Sequence, residues 1–306
     1  MLFLEPLFCR KPIYDISGLD LKGPVKVALT GDWHVSKIVS DKQRNFLKNR
    51  LRQIQPDLII LQGDLFDTPD SLRDVKLASE LKKGLKVCTE LAPTVMVLGN
   101  HDQVRPSHKA PSSREDYKTR VDTDAVNEWR KLCRETGVKL LLDEWFEVKG
   151  LRVFGFLQDF EAYYIKPGAK GENYSVMEQK IKQLSKDGVL DKKEGKIDWF
   201  VAHAPINELY KMKELAGFKV FSFGHTHGGC FPLGIDLVAD KLGFHGGIVA
   251  PFSKWFPMRY MRGRKQYDDS HFIVNTGMVL SQYSAQLPLR YINFLKAAEI
   301  TEVRLS

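Results

Sequence analysis

The segment GHTHGG at 224–229 places His225 and His227 one residue apart, directly behind the apolar run FKVFSF. In an extended chain, positions i and i+2 face the same way, so two imidazoles at a strand end converge on one point and can hold a metal. The chain carries four further clusters of oxygen and nitrogen donors, each behind an apolar run: GDWH with Asp32 and His34, GDLFD with Asp64 and Asp67, GNHD with Asn100, His101 and Asp102, and AHAP with His203. Five of the eight histidines fall in these clusters. A capping aspartate or a core histidine accounts for any one of them. Five in order, each after a strand-like run, point to one shared metal centre. Carboxylates, an amide oxygen and imidazoles form a mixed O/N shell that suits manganese, iron, zinc or cobalt better than a thiolate-preferring ion.

The elements that must carry these residues are legible in the hydrophobic pattern. PVKVALTGD (24–32), DLIILQGD (57–64) and PTVMVLGN (93–100) are short runs rich in β-branched and aliphatic residues, as expected for strands buried on both faces. Between them, Leu47, Leu51 and Ile54, and then Ala78, Leu81, Leu85 and Cys88, keep a helical rhythm, with Pro56 and Pro93 as stops. The order βαβαβ predicts a parallel sheet, and in open α/β sheets ligands bind at the carboxyl ends of the strands, where the donor clusters lie. Further strands are predicted near 151–156, 197–203, 218–224, 271–276 and 298–304, and further helices near 122–135, 175–185 and 206–215.

The ordered set DxH, GDxxD, GNHD, a lone His and GHxH resembles the calcineurin-like metallophosphoesterase family over residues 25–230. The resemblance implies an α/β fold of four layers, α/β/β/α, a double β-sandwich flanked by helices, with two divalent metal ions at the strand ends. It implies that Asp32, His34 and His227 hold the first ion, that Asn100, His203 and His225 hold the second, and that Asp64 bridges both. Manganese is the favoured ion. Two such ions, ~3.5–4 Å apart, clamp a phosphoryl group and acidify a bridging water for in-line attack. His101 would then act at the leaving group, Asp102 would orient His101, and Asp67 would be a supporting carboxylate. After His227, a basic aromatic segment and PLRYINFLKAAEITEVRL are similar to a branch of small membrane-associated phosphodiesterases and UDP-2,3-diacylglucosamine pyrophosphatases, although Cys230 stands where that branch has a polar residue; we read Cys230 as a small packing residue.

With 306 residues, 43% of them hydrophobic, the chain can bury a full core, and we expect one catalytic domain over 1–306 with an N-terminal extension at 1–23. Its four cysteines follow no CxxC spacing, and the apolar start MLFLEPLFCRK is broken by Glu5 and Pro6, so a cytoplasmic protein is expected, at most peripheral on the inner face of a membrane. The net charge of +8 favours an anionic partner. Three segments are candidates for shaping the substrate site. Residues 103–120 form a polar, basic stretch after His101 and suggest a phosphate-reading lid, and 159–174 suggest a loop at the same rim. Residues 251–265 carry five basic and four aromatic side chains and no acid, which suits either a core connection or an anionic membrane surface. The expected reaction is hydrolysis of a phosphodiester or pyrophosphate in an amphiphilic or lipid-linked substrate. A metal-dependent nuclease, with nucleic acid as the partner, and a non-catalytic scaffold remain as alternatives.

Overall fold

The computed structural model describes residues 9–35, 41–106, 112–163, 174–205, 209–226, 262–278 and 298–306. In chain order the elements are β1 (Cys9–Arg10), β2 (Ile13–Ile16), β3 (Val25–Thr30), α1 (Asp41–Ile54), β4 (Leu58–Leu61), α2 (Val75–Thr89), β5 (Thr94–Met96), α3 (Arg114–Lys118), α4 (Ala125–Thr136) and β6 (Lys139–Leu140). They continue as β7 (Glu144–Val148), β8 (Leu151–Gly155), α5 (Tyr174–Lys186), β9 (Ile197–Val201), β10 (Phe218–Phe223), β11 (Gly263–Tyr267), β12 (Ser270–Val274), β13 (Ala298–Glu299) and β14 (Thr301–Leu305).

Two six-stranded sheets result, ordered β2-β14-β3-β4-β5-β6 and β11-β12-β10-β9-β8-β7. The continuous apolar runs are explained by alternation across each strand. In β3, Val27 and Leu29 enter the core between the sheets while Ala28 faces the outer core; in β4, Leu58 and Ile60 point inward and Ile59 and Leu61 outward. The inner core is aliphatic around Trp199, with Val95, Val153, Val220, Ile273 and Val303. On the far side of the first sheet, Leu47 and Leu51 of α1, Leu81 and Leu85 of α2 and Trp129 of α4 form a second core. Beyond the second sheet, Met177 and Ile181 of α5 cover a Phe-rich face built from Phe154, Phe200, Phe221 and Phe272. The layering is therefore α/β/β/α.

As the hydrophobic pattern requires, β3, β4 and β5 are parallel neighbours. The sheets are mixed at their edges: β14 runs antiparallel to β3, β7 to β8 and β11 to β12. Of the helix expected at 206–215, residues 206–208 lie outside the described part, and the rest forms two 3₁₀ turns, Leu209–Lys211 and Lys213–Leu215, separated by an extended Met212. Leu209, Met212 and Leu215 are the buried side chains there, and their three-residue spacing matches the 3.0-residue turn of a 3₁₀ helix rather than the α period. Within 103–120, residues 107–111 lie outside the described part, while Val104 bridges Val121 and Tyr117 of α3 is buried. That segment is fastened further by Arg105 to Asp70 and Asp122, and by Arg114 to Glu161, so its described ends are anchored to the fold. Of 251–265, residues 251–261 lie outside the described part; Gly263, Arg264 and Lys265 open edge strand β11, where the Arg264 guanidinium donates to the Asp15 carbonyl.

Candidate metal centre

The loops after β3 and β4 run side by side as a backbone extension of the sheet: Asp32 N–H donates to Gly63 O at 2.8 Å, His34 N–H to Asp64 O at 3.1 Å and Val35 N–H to Leu65 O at 2.9 Å. Holding the side chains inward requires unusual backbone. Asp32, His34, Asp64 and His225 all have positive φ, at 49°, 45°, 51° and 67°. Left-handed conformations at non-glycine residues are uncommon and cost energy that the surrounding bonds must offset, and such outliers cluster at functional sites.

Asp64 is at the centre. It is 1% exposed, and its Oδ2 lies 3.1 Å from His203 Nε2 on one side and 3.8 Å from His34 Nε2 on the other. Its Oδ1 accepts the His101 backbone N–H at 2.8 Å. Space for this carboxylate exists because residue 99 is glycine: a Cβ there would stand 2.1 Å from Asp64 Oδ1. Burial alone would raise the Asp64 carboxyl, but the facing His203, His101 and His34 hold it well below the usual range.

The tautomers are set by the bonds behind the rings. His203 Nδ1 is 2.6 Å from the Gln62 carbonyl, and His101 Nδ1 is 2.8 Å from the Asp67 carbonyl. A carbonyl accepts only, so both Nδ1 atoms carry protons and both Nε2 atoms face the centre. His34 Nδ1 lies 3.2 Å from Asp67 Oδ1, which likewise turns its Nε2 inward, and burial pulls the His34 imidazole below its ordinary value, toward the neutral ligand form. Around His203 Nε2 three polar atoms crowd together: the acceptors Asp64 Oδ2 and Asn100 Oδ1, the latter at 3.2 Å, and the ring nitrogen His225 Nδ1 at 3.1 Å. One proton cannot serve them all. Burial lowers His203, but the Asp64 and Asp32 charges and the Gln62 carbonyl outweigh it and push it up to about 10, the direction expected of a site that attracts positive charge. This electron-rich donor set fits a divalent ion.

Two groups of donors thus lie within 4.8 Å: Asp64 with His203 and His225, and Asp64 with His34 and His101. The structure therefore brings the expected Asn100, His203, His225 and Asp64 together, and it brings His34 to Asp64. Asp32 reaches the centre from β3, its carboxylate accepting the His225 N–H at 3.1 Å from both oxygens. His227 lies outside the described residues, as does Cys230.

Asp102 does something other than orient His101. Its Oδ2 accepts N–H bonds from Asp64 at 2.8 Å and Gly99 at 2.9 Å, and its Oδ1 accepts from Leu65 at 3.1 Å. This buried carboxylate ties the β4 and β5 loops together, and the His101 ring is held by Asp67 instead. Burial, then the neighbouring Asp64, pushes the Asp102 carboxyl upward, while the backbone donors favour its anion.

Three contributors are not singled out by the sequence as residues, although the last of them falls within the rim segment expected at 159–174. Gly277, at φ 78°, leaves room for Asp32: a Cβ there would stand 2.4 Å from Asp32 Cβ. It is held by Asn275, whose Oδ1 accepts the Gly277 N–H at 2.7 Å and whose Nδ2 donates to Thr301 Oγ1 at 2.9 Å, fastening β12 to β14. The motif NTGM behind an apolar strand was the available signal. Tyr163 ends the 3₁₀ turn Phe160–Tyr163 with its ring centroid 6.3 Å from those of both His203 and His225.

A family model described as calcineurin-like phosphoesterase matches residues 25–229. One component of the SbcCD nuclease of Staphylococcus epidermidis is 34% identical over 87 residues, which cover 26% of this chain and 23% of that protein. The match therefore spans about a quarter of that curated relative's length. Among solved structures, a dimetal phosphatase from Danio rerio is similar at 14% identity and a TM-score of 0.44, covering 83% of this chain and 88% of the other. The phosphopantetheinyl hydrolase of Mycobacterium tuberculosis is similar at 12% identity and a TM-score of 0.40, covering 81% and 88%.

Proposed function

The chain belongs to the calcineurin-like phosphoesterase family, and from that premise we propose that it is a metal-dependent phosphoric-ester hydrolase acting on a phosphodiester or pyrophosphate. The observation that carries this reading is the crowding of Asp64 Oδ2, Asn100 Oδ1 and His225 Nδ1 around His203 Nε2, with Asp64 also facing His34. Asp64, Asn100, His203 and His225 would hold one divalent ion, and Asp32, His34 and Asp64, with His227, the other. Manganese is the proposed ion, from the mixed O/N donor set. Bound there, two ions supply Lewis acidity to phosphoryl oxygens and lower the pKa of water.

The chain's own residues do the rest. Asp67 keeps the Nε2 of both His34 and His101 facing the centre. Asp102 locks the loops that carry Asp64 and Asn100. His101, half-buried with its Nδ1 proton held by the Asp67 carbonyl, presents Nε2 to the reacting group, where a second proton makes it an acid for the leaving oxygen. For the substrate, the +8 charge and the basic aromatic stretch 251–265 favour an amphiphilic phosphoester and a peripheral position on an anionic membrane. No helix among the described residues is long and apolar enough to cross a membrane.

The test is a turnover panel with added manganese: bis-p-nitrophenyl phosphate, a nucleotide-diphosphate lipid, single-stranded DNA and a plain monoester. Metal-dependent cleavage of the diester or pyrophosphate that a chelator abolishes is expected. Turnover indifferent to chelation, or none on any member, refutes the proposal, and cleavage of DNA alone transfers it to the nuclease reading.

A further inference from the structure

We propose that Tyr163 is an aromatic wall of the substrate site that selects phosphoesters bearing a planar ring, such as a nucleobase, beside the phosphate. This deepens the hydrolase reading and rests on it. The ring centroid lies 6.3 Å from that of His203, at an interplanar angle of 68°, and 6.3 Å from that of His225, at 37°. It therefore borders the donor group Asp64–His203–His225. The phenol oxygen is engaged by the fold: it donates to Gln158 Oε1 at 3.3 Å, an oxygen that also accepts the N–H of Ala204, next to His203, at 2.6 Å. Gln158 is itself 1% exposed and donates from Nε2 to the Ala204 carbonyl at 3.1 Å, so the anchor is rigid. With its hydroxyl engaged inside, Tyr163 offers the site its ring rather than a proton.

The wall is also fixed from outside. Glu161, two residues earlier in the same turn, pairs with Arg114 of α3 at 2.8 Å, and the Glu161 and Ala162 N–H groups bond to Asp159. Tyr163 is half-buried, so part of its side chain stays accessible. Stacking of a base on an aromatic side chain is sequence-tolerant and strong enough to discriminate ligands of equal charge.

The experiment compares two ligands with one phosphate each, adenosine 5′-monophosphate and ribose 5-phosphate, by calorimetric titration into the manganese-loaded protein. Wild type should bind the base-bearing ligand about tenfold more tightly, the lower range of base–aromatic stacking. Tyr163→Phe should keep that ratio and Tyr163→Ala should bring it close to one. Should Tyr163→Ala fail to fold, Tyr163→Leu, which keeps apolar bulk without a π face, carries the same comparison. A ratio of one in wild type, a ratio unchanged in Tyr163→Ala or Tyr163→Leu, or a loss in Tyr163→Phe equal to that in Tyr163→Ala overturns the inference; the last outcome would give the role to the hydroxyl. Failure of wild type to bind either phosphate also overturns the inference, and turnover of bis-p-nitrophenyl phosphate by the same manganese-loaded sample shows separately whether the hydrolase reading stands.

Discussion

Replacing Gly99 by Ala adds a single methyl group against the residue at the heart of the centre. The new Cβ would stand 2.1 Å from Asp64 Oδ1 and 2.6 Å from the Asp64 backbone nitrogen, and ordinary contact begins at 3.4 Å, so the carboxylate must retreat by about 1.3 Å and the Asp64 backbone by about 0.8 Å. Neither can do so freely. Asp64 Oδ1 accepts the His101 N–H at 2.8 Å, and the backbone N–H groups of Gly99 and Asp64 share the Asp102 carboxylate. A misplacement of ~1 Å can cost ~10²-fold in rate, equivalent to roughly 2.7 kcal/mol of transition-state stabilisation. Overpacking of this kind costs ~1–3 kcal/mol of stability, so the variant should remain folded by circular dichroism. Gly23→Ala is the control, since a Cβ there has nothing within 4 Å. The assay is manganese-dependent turnover of bis-p-nitrophenyl phosphate alongside metal content. The Gly99→Ala variant should lose about 100-fold in kcat/KM while Gly23→Ala loses nothing. A Gly99→Ala protein with wild-type turnover and metal content refutes the central placement of Asp64.

Asp67→Asn removes the acceptor charge behind His34 and should weaken metal affinity by ~10- to 100-fold with the fold intact, measured by competition with a chromophoric chelator; unchanged affinity denies Asp67 a supporting role. In the metal-free protein His203 is raised from 6.5 to about 10, so its protonation stabilises the fold fully below pH 6.5 and that contribution fades as pH climbs through about 10. Metal must displace this proton, so between those values uptake should release it, and apparent affinity should rise roughly tenfold per pH unit; calorimetry in buffers of different ionisation enthalpy reads the release, and a pH-independent affinity contradicts it. Trp255→Ser combined with Phe256→Ser should weaken cosedimentation with anionic vesicles and spare turnover of a soluble diester. An insoluble double variant, with no vesicle binding by wild type, would place these aromatics in the core.

The parts of the fold written in local periodicity could be read directly. The alternation of Val27, Ala28 and Leu29 between two cores makes an unbroken apolar run, and the helical spacing of Leu81, Leu85 and Cys88 fixes α2 on the outer core. The donor residues were legible for the same reason, since each follows such a run. What escaped depends on distant partners. Asp102 looks like a neighbour of His101 in sequence, yet its carboxylate reaches back to the N–H groups of Asp64 and Leu65 on another loop. Gly277 matters only because Asp32, far earlier in the chain, needs its space. The edge strands β2, β7 and β11 are half-exposed and polar, so they lack the apolar signature of the central strands. At 209–215 the apolar spacing fits two helical types, and tertiary packing chose the 3₁₀ turns.

The measurement that bears most directly on the dinuclear account is elemental analysis of purified wild type and Asp64→Asn, paired with turnover of bis-p-nitrophenyl phosphate on the same samples. Asp64 faces His34 on one side and His203 on the other, so its loss should disturb both sites at once. Wild type should approach two divalent ions per chain, and the folded Asp64→Asn protein should fall well below that with turnover abolished. A folded Asp64→Asn protein with full metal content and full activity contradicts the account.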